Sequence, residues 1–275
     1  MHNAFVPETL EGWSVLHQMF RFDWHAWRAA SVDDRRAAVD EAIACFSTLP
    51  SGAEGSTIPV AMLGHKCDLM LIHCRQTFDA LLAVELTMSG LRLARFLNAS
   101  TSYVSAVELG LYEMTAKVHE QLVERGLSPD TDEYDQAFAA EIAGQRPRLA
   151  SRLLPELPRR RYVSFYAMSK RRGEQKNWYA TPFVRRAMMM REHGTIGRRY
   201  AGQVTQIISG SIGFDDWEWG VDLFADDPLV FKRLVYEMRF DEASADYGEF
   251  GAFYVGLQFA PGELGAFLDG RVPAL

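Results

Sequence analysis

Residues 218-EWGVDLFADDPLVFKRLVYEM-238 carry a pattern that the chain also contains earlier, as 68-DLMLIHCRQTFDALLAVELTM-88. Both segments read as an apolar strand, then a polar turn, then a helix with a Leu-x-x-Glu spacing. A pattern of several elements that recurs in order indicates a duplicated structural unit, and it constrains the architecture more strongly than the propensity of any one element. We therefore predict an internal repeat.

The elements that flank these segments follow one order in both halves of the chain. The first half reads as strand, helix, strand, strand, helix, strand, with strands over 12–21, 58–64, 68–74 and 100–109 and helices that begin near Ser31 and Thr77. The second half repeats this order, with strands over 161–170, 203–209, 217–225 and 248–259 and helices that begin near Pro182 and Asp226. A duplicated β-α-β-β-α-β unit is the ferredoxin-like arrangement. We predict an α+β fold in which two such repeats, 1–110 and 161–275, form one curved sheet or barrel of the dimeric α+β barrel type. A charged helical linker or loop, 111–160, joins them.

The bulk composition limits the class of protein. The chain has 275 residues, of which 48% are hydrophobic and 24% charged, and its formal net charge is -7. Disorder is therefore not expected, and the acidic balance argues against a general nucleic-acid binder, which needs a basic face. Three cysteines without a CxxC pair indicate reduced thiols. Because the N-terminal sequence lacks a signal-like pattern and no run of 18 apolar residues follows, we expect a cytoplasmic protein without a transmembrane segment.

A histidine in the second half stands beside two glycines. Met189, Met190 and His193 fall on one stripe of the predicted helix, and Gly194 and Gly197 follow within a turn. Glycine inside a helix costs on the order of 1 kcal/mol relative to alanine. The pattern therefore has two readings, a buried, hydrogen-bonded histidine at a frayed helix end, or a histidine whose surroundings leave room for a flat group such as a haem.

A tyrosine and a lysine share one strand face in the segment 161–170. Alternate residues of a strand point the same way, so Tyr166, Met168 and Lys170 lie together, whereas Ala167 points away. A lysine near a phenol can stabilise the phenolate or relay a proton when the ring is oxidised. The other reading is a strand whose tyrosine fills the core and whose lysine is solvated. Gln206 is a second polar residue in an apolar strand; its amide donates hydrogen bonds but carries no charge.

Several strings in this chain resemble the coproheme decarboxylases of the chlorite-dismutase-like superfamily. They are EGWSVLH, GHKCDLM, YVSAVEL, FYAMSKRR, NWY, REHGTIGRRYAG, TQIISGSIGFDDWEWGVDLFADDP and FKRLVYEMRFDEASADYGEFG. The resemblance covers nearly the whole chain except the linker, and it implies that the haem site lies in the second repeat. Ala167 is a departure, since many relatives have proline there.

The resemblance implies roles for individual residues. It makes His193 the axial ligand of the iron, Tyr166 the tyrosine whose radical begins the reaction, and Lys170 an assistant in proton transfer or in the second decarboxylation. It assigns porphyrin binding to Arg152, Tyr112, Met168, Gln206 and Ser244, of which Tyr112 lies at the edge of the variable linker.

The implied reaction is the oxidative decarboxylation of two propionates of iron coproporphyrin III, called coproheme, to give haem b. It consumes two molecules of hydrogen peroxide and passes through a three-propionate intermediate, so coproheme is both substrate and redox cofactor. The resemblance further implies a homopentamer and a transient contact with the coproporphyrin ferrochelatase. Two alternatives remain open: a non-catalytic haem-binding or sensing protein, and a chlorite dismutase or peroxidase of the same superfamily. Chlorite dismutases carry an arginine where this chain has Gln206.

Overall fold

A computed structural model describes residues 6–129 and 131–275. The first half forms four strands and three α-helices: β1 (Thr9–Phe22), α1 (Trp24–Ala29), α2 (Val32–Thr48), β2 (Ser56–Met62), β3 (Leu69–Arg75), α3 (Phe78–Ser89) and β4 (Leu97–Gly110). Three helices follow in the middle segment: α4 (Tyr112–Glu124), α5 (Asp132–Ala143) and α6 (Arg146–Leu153). The second half forms β5 (Tyr162–Lys170), α7 (Phe183–Arg198), β6 (Thr205–Gly210), β7 (Trp219–Ala225), α8 (Leu229–Met238), α9 (Glu242–Ala245), β8 (Gly248–Gln258) and α10 (Leu264–Leu268).

The eight strands close into one barrel in the order β1-β3-β2-β8-β5-β7-β6-β4. Within each half the order is fourth, first, third, second, and the paired strands are antiparallel. This is the strand order that a β-α-β-β-α-β unit with right-handed crossovers produces. The halves join where β2 pairs with β8 and where β4 pairs with β6. The predicted fold class, two ferredoxin-like repeats in one curved sheet, is confirmed.

Local sequence accounts for the helix ends that were predicted in the first half. The hydroxyl of Ser31 accepts a hydrogen bond from the amide of Asp34 and begins α2, and Thr77 caps α3 in the same way. Helix α1 was not predicted, although the carboxylate of Asp23 caps it by accepting a hydrogen bond from the amide of Ala26. A helix of one and a half turns is too short to establish a hydrophobic period, so its only signal was the cap.

The middle segment is more structured than a solvated linker. Its helices bury Val118, Leu122, Ile142 and Leu153 in a cluster that also contains Leu10 from β1. The apolar faces of these helices therefore pack on the barrel. The division at residues 110 and 160 remains a proposal about domain organisation.

Alternation along the strands separates two apolar layers. On β5, Val163, Phe165 and Ala167 point into the barrel, whereas Tyr166 and Met168 point outward, into the layer under α8. Throughout the described ranges, no helix combines the length and the apolar composition that crossing a bilayer would require. The N-terminal residues 1–5, on which part of the localisation expectation rests, lie outside the described ranges.

Candidate functional site

Tyr166 lies on the outward face of β5 and is buried, with 5% of its surface exposed. Its register partners are Val221 on β7 and Phe253 on β8, and its ring stacks on Phe253 with centroids 4.5 Å apart. Burial raises the pKa of the phenol above its ordinary value, and the positive charge of Arg239 opposes that rise. Tyr166 is therefore a neutral phenol in an apolar layer.

Lys170 is buried at the end of the same strand face. Its Nζ atom donates a hydrogen bond of 2.7 Å to the carbonyl oxygen of Ala243 and lies 4.6 Å from the centroid of the Trp178 ring. Burial lowers the pKa of the lysine to about 8, although Asp241 and Glu218 favour its charged form. With this pKa, the ammonium form can give up a proton near neutral pH, and the amine form can accept one.

His193 lies on α7, and a carboxylate fixes one of its ring nitrogens. The Nδ1 atom is 2.9 Å from Oδ2 of Asp241, while Oδ1 of Asp241 accepts a hydrogen bond from the amide of Ser244. Burial alone would raise the pKa of Asp241, but its contacts with His193 and Ser244 bring it below the ordinary value. The carboxylate therefore favours a proton on Nδ1, which leaves Nε2 with the lone pair that a metal ligand needs.

The helix continues through both glycines, so His193 does not stand at a frayed end. A Cβ atom on Gly197 would lie 3.2 Å from the Met238 methyl group. Helices α7 and α8 therefore approach each other closely at Gly197. A Cβ atom on Gly194 would meet Arg198 only at an ordinary 3.5 Å, so packing within the chain does not require that glycine.

Gln206 shares the outward sheet face with Tyr166. It is exposed on β6 and pairs with Leu223 on β7, which in turn pairs with Ser164 on β5. Residues that are paired across neighbouring strands point to the same side of a sheet. The Gln206 amide therefore lies on the sheet face of Tyr166, in the cross-strand row next to the row that contains Tyr166. Met168 is half-buried in the same layer.

The remaining predicted residues occupy three different surroundings. Ser244 supports the imidazole, since its hydroxyl lies 3.2 Å from Oδ2 of Asp241 and 3.4 Å from Nδ1 of His193. Tyr112 begins α4, and its hydroxyl accepts a hydrogen bond of 3.2 Å from Nε1 of Trp178. Arg152 is exposed on α6. Within the described residues no hydrogen bond or ion pair joins Arg152 to the other predicted site residues.

Residue-based reasoning missed four groups that organise this region: Asp241, Glu218, Trp178 and Arg239. Asp241 and Ser244 form an Asp-x-x-Ser cap at the start of α9, which was a readable local signal. Glu218 accepts a hydrogen bond of 2.7 Å from the amide of Lys170. The contacts of Glu218 and Trp178 cross between separate elements, so sequence spacing carries no sign of them.

Comparisons with known proteins agree on the architecture. The model of the family described as chlorite dismutase matches residues 35–259. A solved structure of a heme-binding protein from Thermus thermophilus is 41% identical, has a TM-score of 0.83, and covers 98% of this chain and 100% of its own. A variant of the chlorite dismutase from Candidatus Nitrospira defluvii aligns over 94% of this chain and 95% of its own, with a TM-score of 0.69 and 17% identity, which bears on the fold alone.

A curated relative from Haloquadratum walsbyi bears the name "Putative heme-binding protein" and is 44% identical over 97% of this chain. The match covers 48% of that relative. The chain thus spans about half the length of the curated relatives it matches.

Proposed function

Because the chain belongs to the chlorite dismutase family, we propose that it binds an iron porphyrin and catalyses the peroxide-dependent oxidative decarboxylation of coproheme to haem b. The observation that carries this proposal is the set of groups on one side of the second repeat. An imidazole held by a carboxylate, a buried phenol and a buried amine of lowered pKa occur together there. Relatives that are named for haem binding support the ligand class.

The chemistry of His193 fits an iron ligand. Metal-binding histidines commonly donate their second ring N–H to a carboxylate, and the Nδ1 contact with Asp241 has that form. Nε2 of His193 has no hydrogen-bond partner among the described side chains, and the side chain is 26% exposed. A bound iron porphyrin would react with peroxide and pass its oxidising equivalents to the protein.

Tyr166 suits the transfer of one electron and one proton. Its ring is buried, and its neutral phenol must lose a proton when it is oxidised. The resulting phenoxyl radical can remove a hydrogen atom from the β-carbon of a propionate. Each full decarboxylation consumes one peroxide and one proton, converts one propionate to a vinyl group, and releases carbon dioxide and two molecules of water.

Lys170 is placed to donate that proton or to bind the second propionate. Its amine lies at the C-terminal end of β5, on the face that carries Tyr166, and contacts the Ala243 carbonyl and the Trp178 ring. Arg239 is an additional candidate for a carboxylate contact, since its charge acts on the phenol of Tyr166. The roles of Arg152, Tyr112, Met168, Gln206 and Ser244 in porphyrin binding are part of the same proposal.

We also propose the assembly state, location and partners that the family resemblance implies. It comprises a cytoplasmic homopentamer that uses hydrogen peroxide and makes a transient contact with the coproporphyrin ferrochelatase. One alternative is a protein that binds haem without acting on it, and the names of the relatives, which state haem binding, fit this alternative as well. For this alternative Tyr166 and Lys170 are packing residues. The other is a chlorite dismutase or peroxidase of the same superfamily.

One experiment separates these functions. Ferric coproheme is added to the protein, peroxide is titrated, and the porphyrin products are followed by mass. The proposal predicts two successive losses, each corresponding to one carbon dioxide and two hydrogen atoms. Tight binding of coproheme with no change in its mass would favour the non-catalytic alternative, and failure to bind any porphyrin would exclude both.

A further inference from the structure

Strand β8 contains a β-bulge beside Tyr166. Tyr166 pairs with Phe253, whereas Met168, two residues further along β5, pairs with Phe250. This is a step of two residues on β5 but of three on β8, so β8 has one extra residue opposite Ala167. A bulge of this kind bends its strand and changes the direction in which side chains point. The irregularity therefore lies where it can affect the surroundings of the phenol.

The bulge places two phenylalanines on the face of Tyr166. In a regular strand, residues three apart point to opposite faces, so Phe250 would point into the barrel when Phe253 points outward. With the extra residue between them, both rings pack in the outward layer that contains Tyr166. The centroid of the Tyr166 ring lies 4.5 Å from that of Phe253 and 6.0 Å from that of Phe250. The phenol thus has two aromatic neighbours from one strand.

Contacts from two other segments hold this part of β8. A Cβ atom on Gly251, within the bulge, would lie 3.1 Å from the Trp217 ring and 3.2 Å from the carbonyl oxygen of Ala167. A glycine there allows this close packing. On the other side of the bulge, Nζ of Lys66 donates a hydrogen bond of 2.5 Å to the carbonyl oxygen of Phe253. Lys66 lies in the turn between β2 and β3, so the first repeat supports the position of Phe253.

The two phenylalanines also separate the phenol from solvent. Phe250 and Phe253 are half-buried, whereas Tyr166, on which both rings pack, is buried. The guanidinium of Arg239 lies 4.7 Å from the centroid of the Phe250 ring, a cation–π contact. Its charge opposes the rise that burial causes in the pKa of Tyr166. Phe250 therefore contacts both the phenol ring and the cation that acts on it.

We propose that Phe250 and Phe253 are positioning residues that hold Tyr166 for the transfer of a hydrogen atom from the propionate. A ring packed against two others does not turn freely, and its hydroxyl keeps one direction. In the transfer, the C–H bond at the β-carbon breaks and the phenol O–H bond forms again, while the unpaired electron moves to the carbon. This role in the reaction rests on the proposed function, whereas the effect on the ring does not.

Fluorine NMR of the porphyrin-free protein tests the effect on the ring. The whole chain is labelled with 3-fluorotyrosine, and the signal of residue 166 is the one that Tyr166→Phe removes. In the wild type this signal should not shift between H2O and D2O, and it should not titrate at the pH at which Tyr236, 64% exposed, ionises. In Phe250→Leu and in Phe253→Leu, a solvent shift should appear, the phenol should titrate at lower pH, and the ring should rotate faster.

Phe231→Leu is the matched control for these variants. Phe231 packs in the same layer but, within the described ranges, makes no ring contact with Tyr166. The signal of residue 166 should therefore match that of the wild type. Unchanged signals in both Phe250→Leu and Phe253→Leu, or the same changes in Phe231→Leu, would overturn the proposal.

The effect on the reaction is measured separately, as haem b formed per peroxide consumed at equal coproheme occupancy. This ratio should fall in Phe250→Leu and in Phe253→Leu and keep the wild-type value in Phe231→Leu. A wild-type ratio in both test variants would overturn their role in the reaction. If the fluorine signals change as expected but the wild type forms no haem b, the proposed function fails and the positioning of the ring stands.

Discussion

Nδ1 of His193 on α7 lies 2.9 Å from Oδ2 of Asp241, which caps α9. The two residues are 48 positions apart in the chain, and the contact fixes the direction in which the other ring nitrogen can act. An imidazole that donates to a carboxylate is a stronger ligand than a free one. The contact between these two residues therefore orients the proposed iron ligand.

Asp241→Asn should lower the affinity for ferric coproheme while His193 remains the iron ligand. The amide keeps the size of the side chain but no longer accepts the Nδ1 proton as a charged partner. Loss of such a partner commonly costs 10–100-fold in metal affinity, so we expect a change of about that size. Titration with ferric coproheme, followed in the Soret band, measures it. His193→Ala serves as the reference for complete loss of ligation, and an unchanged affinity in Asp241→Asn would show that the carboxylate does not support the ligand.

Lys170 should make the second decarboxylation depend on pH. With a pKa of about 8, the amine is mainly charged below that pH and mainly neutral above it. If the ammonium supplies a proton, the three-propionate intermediate should accumulate as the pH rises through about 8. Lys170→Ala should accumulate it at all pH values, and Lys170→Arg should remove the dependence on pH. Product masses after a fixed peroxide dose test this, and equal haem b yields from pH 6 to pH 9 would contradict it.

The same lowered pKa affects stability. The folded state holds the Lys170 proton less tightly than the unfolded chain, whose lysine keeps a pKa near 10.5. Between about pH 8 and pH 10.5 the unfolded chain binds more protons, so this residue makes the free energy of unfolding rise with pH in that window. Lys170→Met should remove this contribution. Denaturant titrations of both proteins at several pH values provide the comparison.

His17 and Asp222 join the two repeats inside the barrel. Nε2 of His17 lies 2.9 and 3.1 Å from the two carboxylate oxygens of Asp222, and both side chains are almost completely buried. Asp222→Ala would leave the imidazole buried without its hydrogen-bond partner, which costs about 1–3 kcal/mol. Asp222→Asn keeps one acceptor and should cost less. Denaturant unfolding gives both values, and equal stability of Asp222→Ala and wild type would refute the role of this pair.

Because residue 206 is a glutamine, we expect that the protein does not convert chlorite to oxygen rapidly. A neutral amide on the sheet face brings no fixed positive charge to hold an anionic oxidant near the iron. An oxygen electrode with chlorite added to the porphyrin-loaded protein measures this activity. Gln206→Arg is the informative comparison, because it changes only this group. Fast and sustained oxygen release by the wild type would favour the dismutase alternative.

The repeated segments carry most of the information about the fold. An apolar strand, a turn and a helix recur in one order, and two such units have few ways to bury their apolar faces. The residues on β5 were also predictable, since Tyr166, Met168 and Ala167 follow strand alternation as expected. The structure was needed to show that the barrel closes through β2 and β8, because these strands share no sequence signal, and to find the short helix α1.

The surroundings of the candidate site were less predictable, because they arise from contacts between distant elements. Lys170 was expected on the face of Tyr166, but its burial depends on Trp178 and on the carbonyl of Ala243, which enter from separate segments. Gly197 had a sequence signal, yet its partner Met238 lies on another helix. Local spacing can point to unusual residues, but it does not identify the groups that surround them.

Tyr166→Phe tests the central claim most directly. The described residues provide no hydrogen bond to the Tyr166 hydroxyl, and the ring packs on Phe253, so the variant should fold normally and bind coproheme as the wild type does. Phenylalanine is much harder to oxidise than tyrosine, so the redox relay should fail. The measurement is the mass of the porphyrin after peroxide is added to each protein at equal coproheme occupancy. The account predicts haem b from the wild type and unchanged coproheme from Tyr166→Phe; a normal yield of haem b from the variant would contradict it.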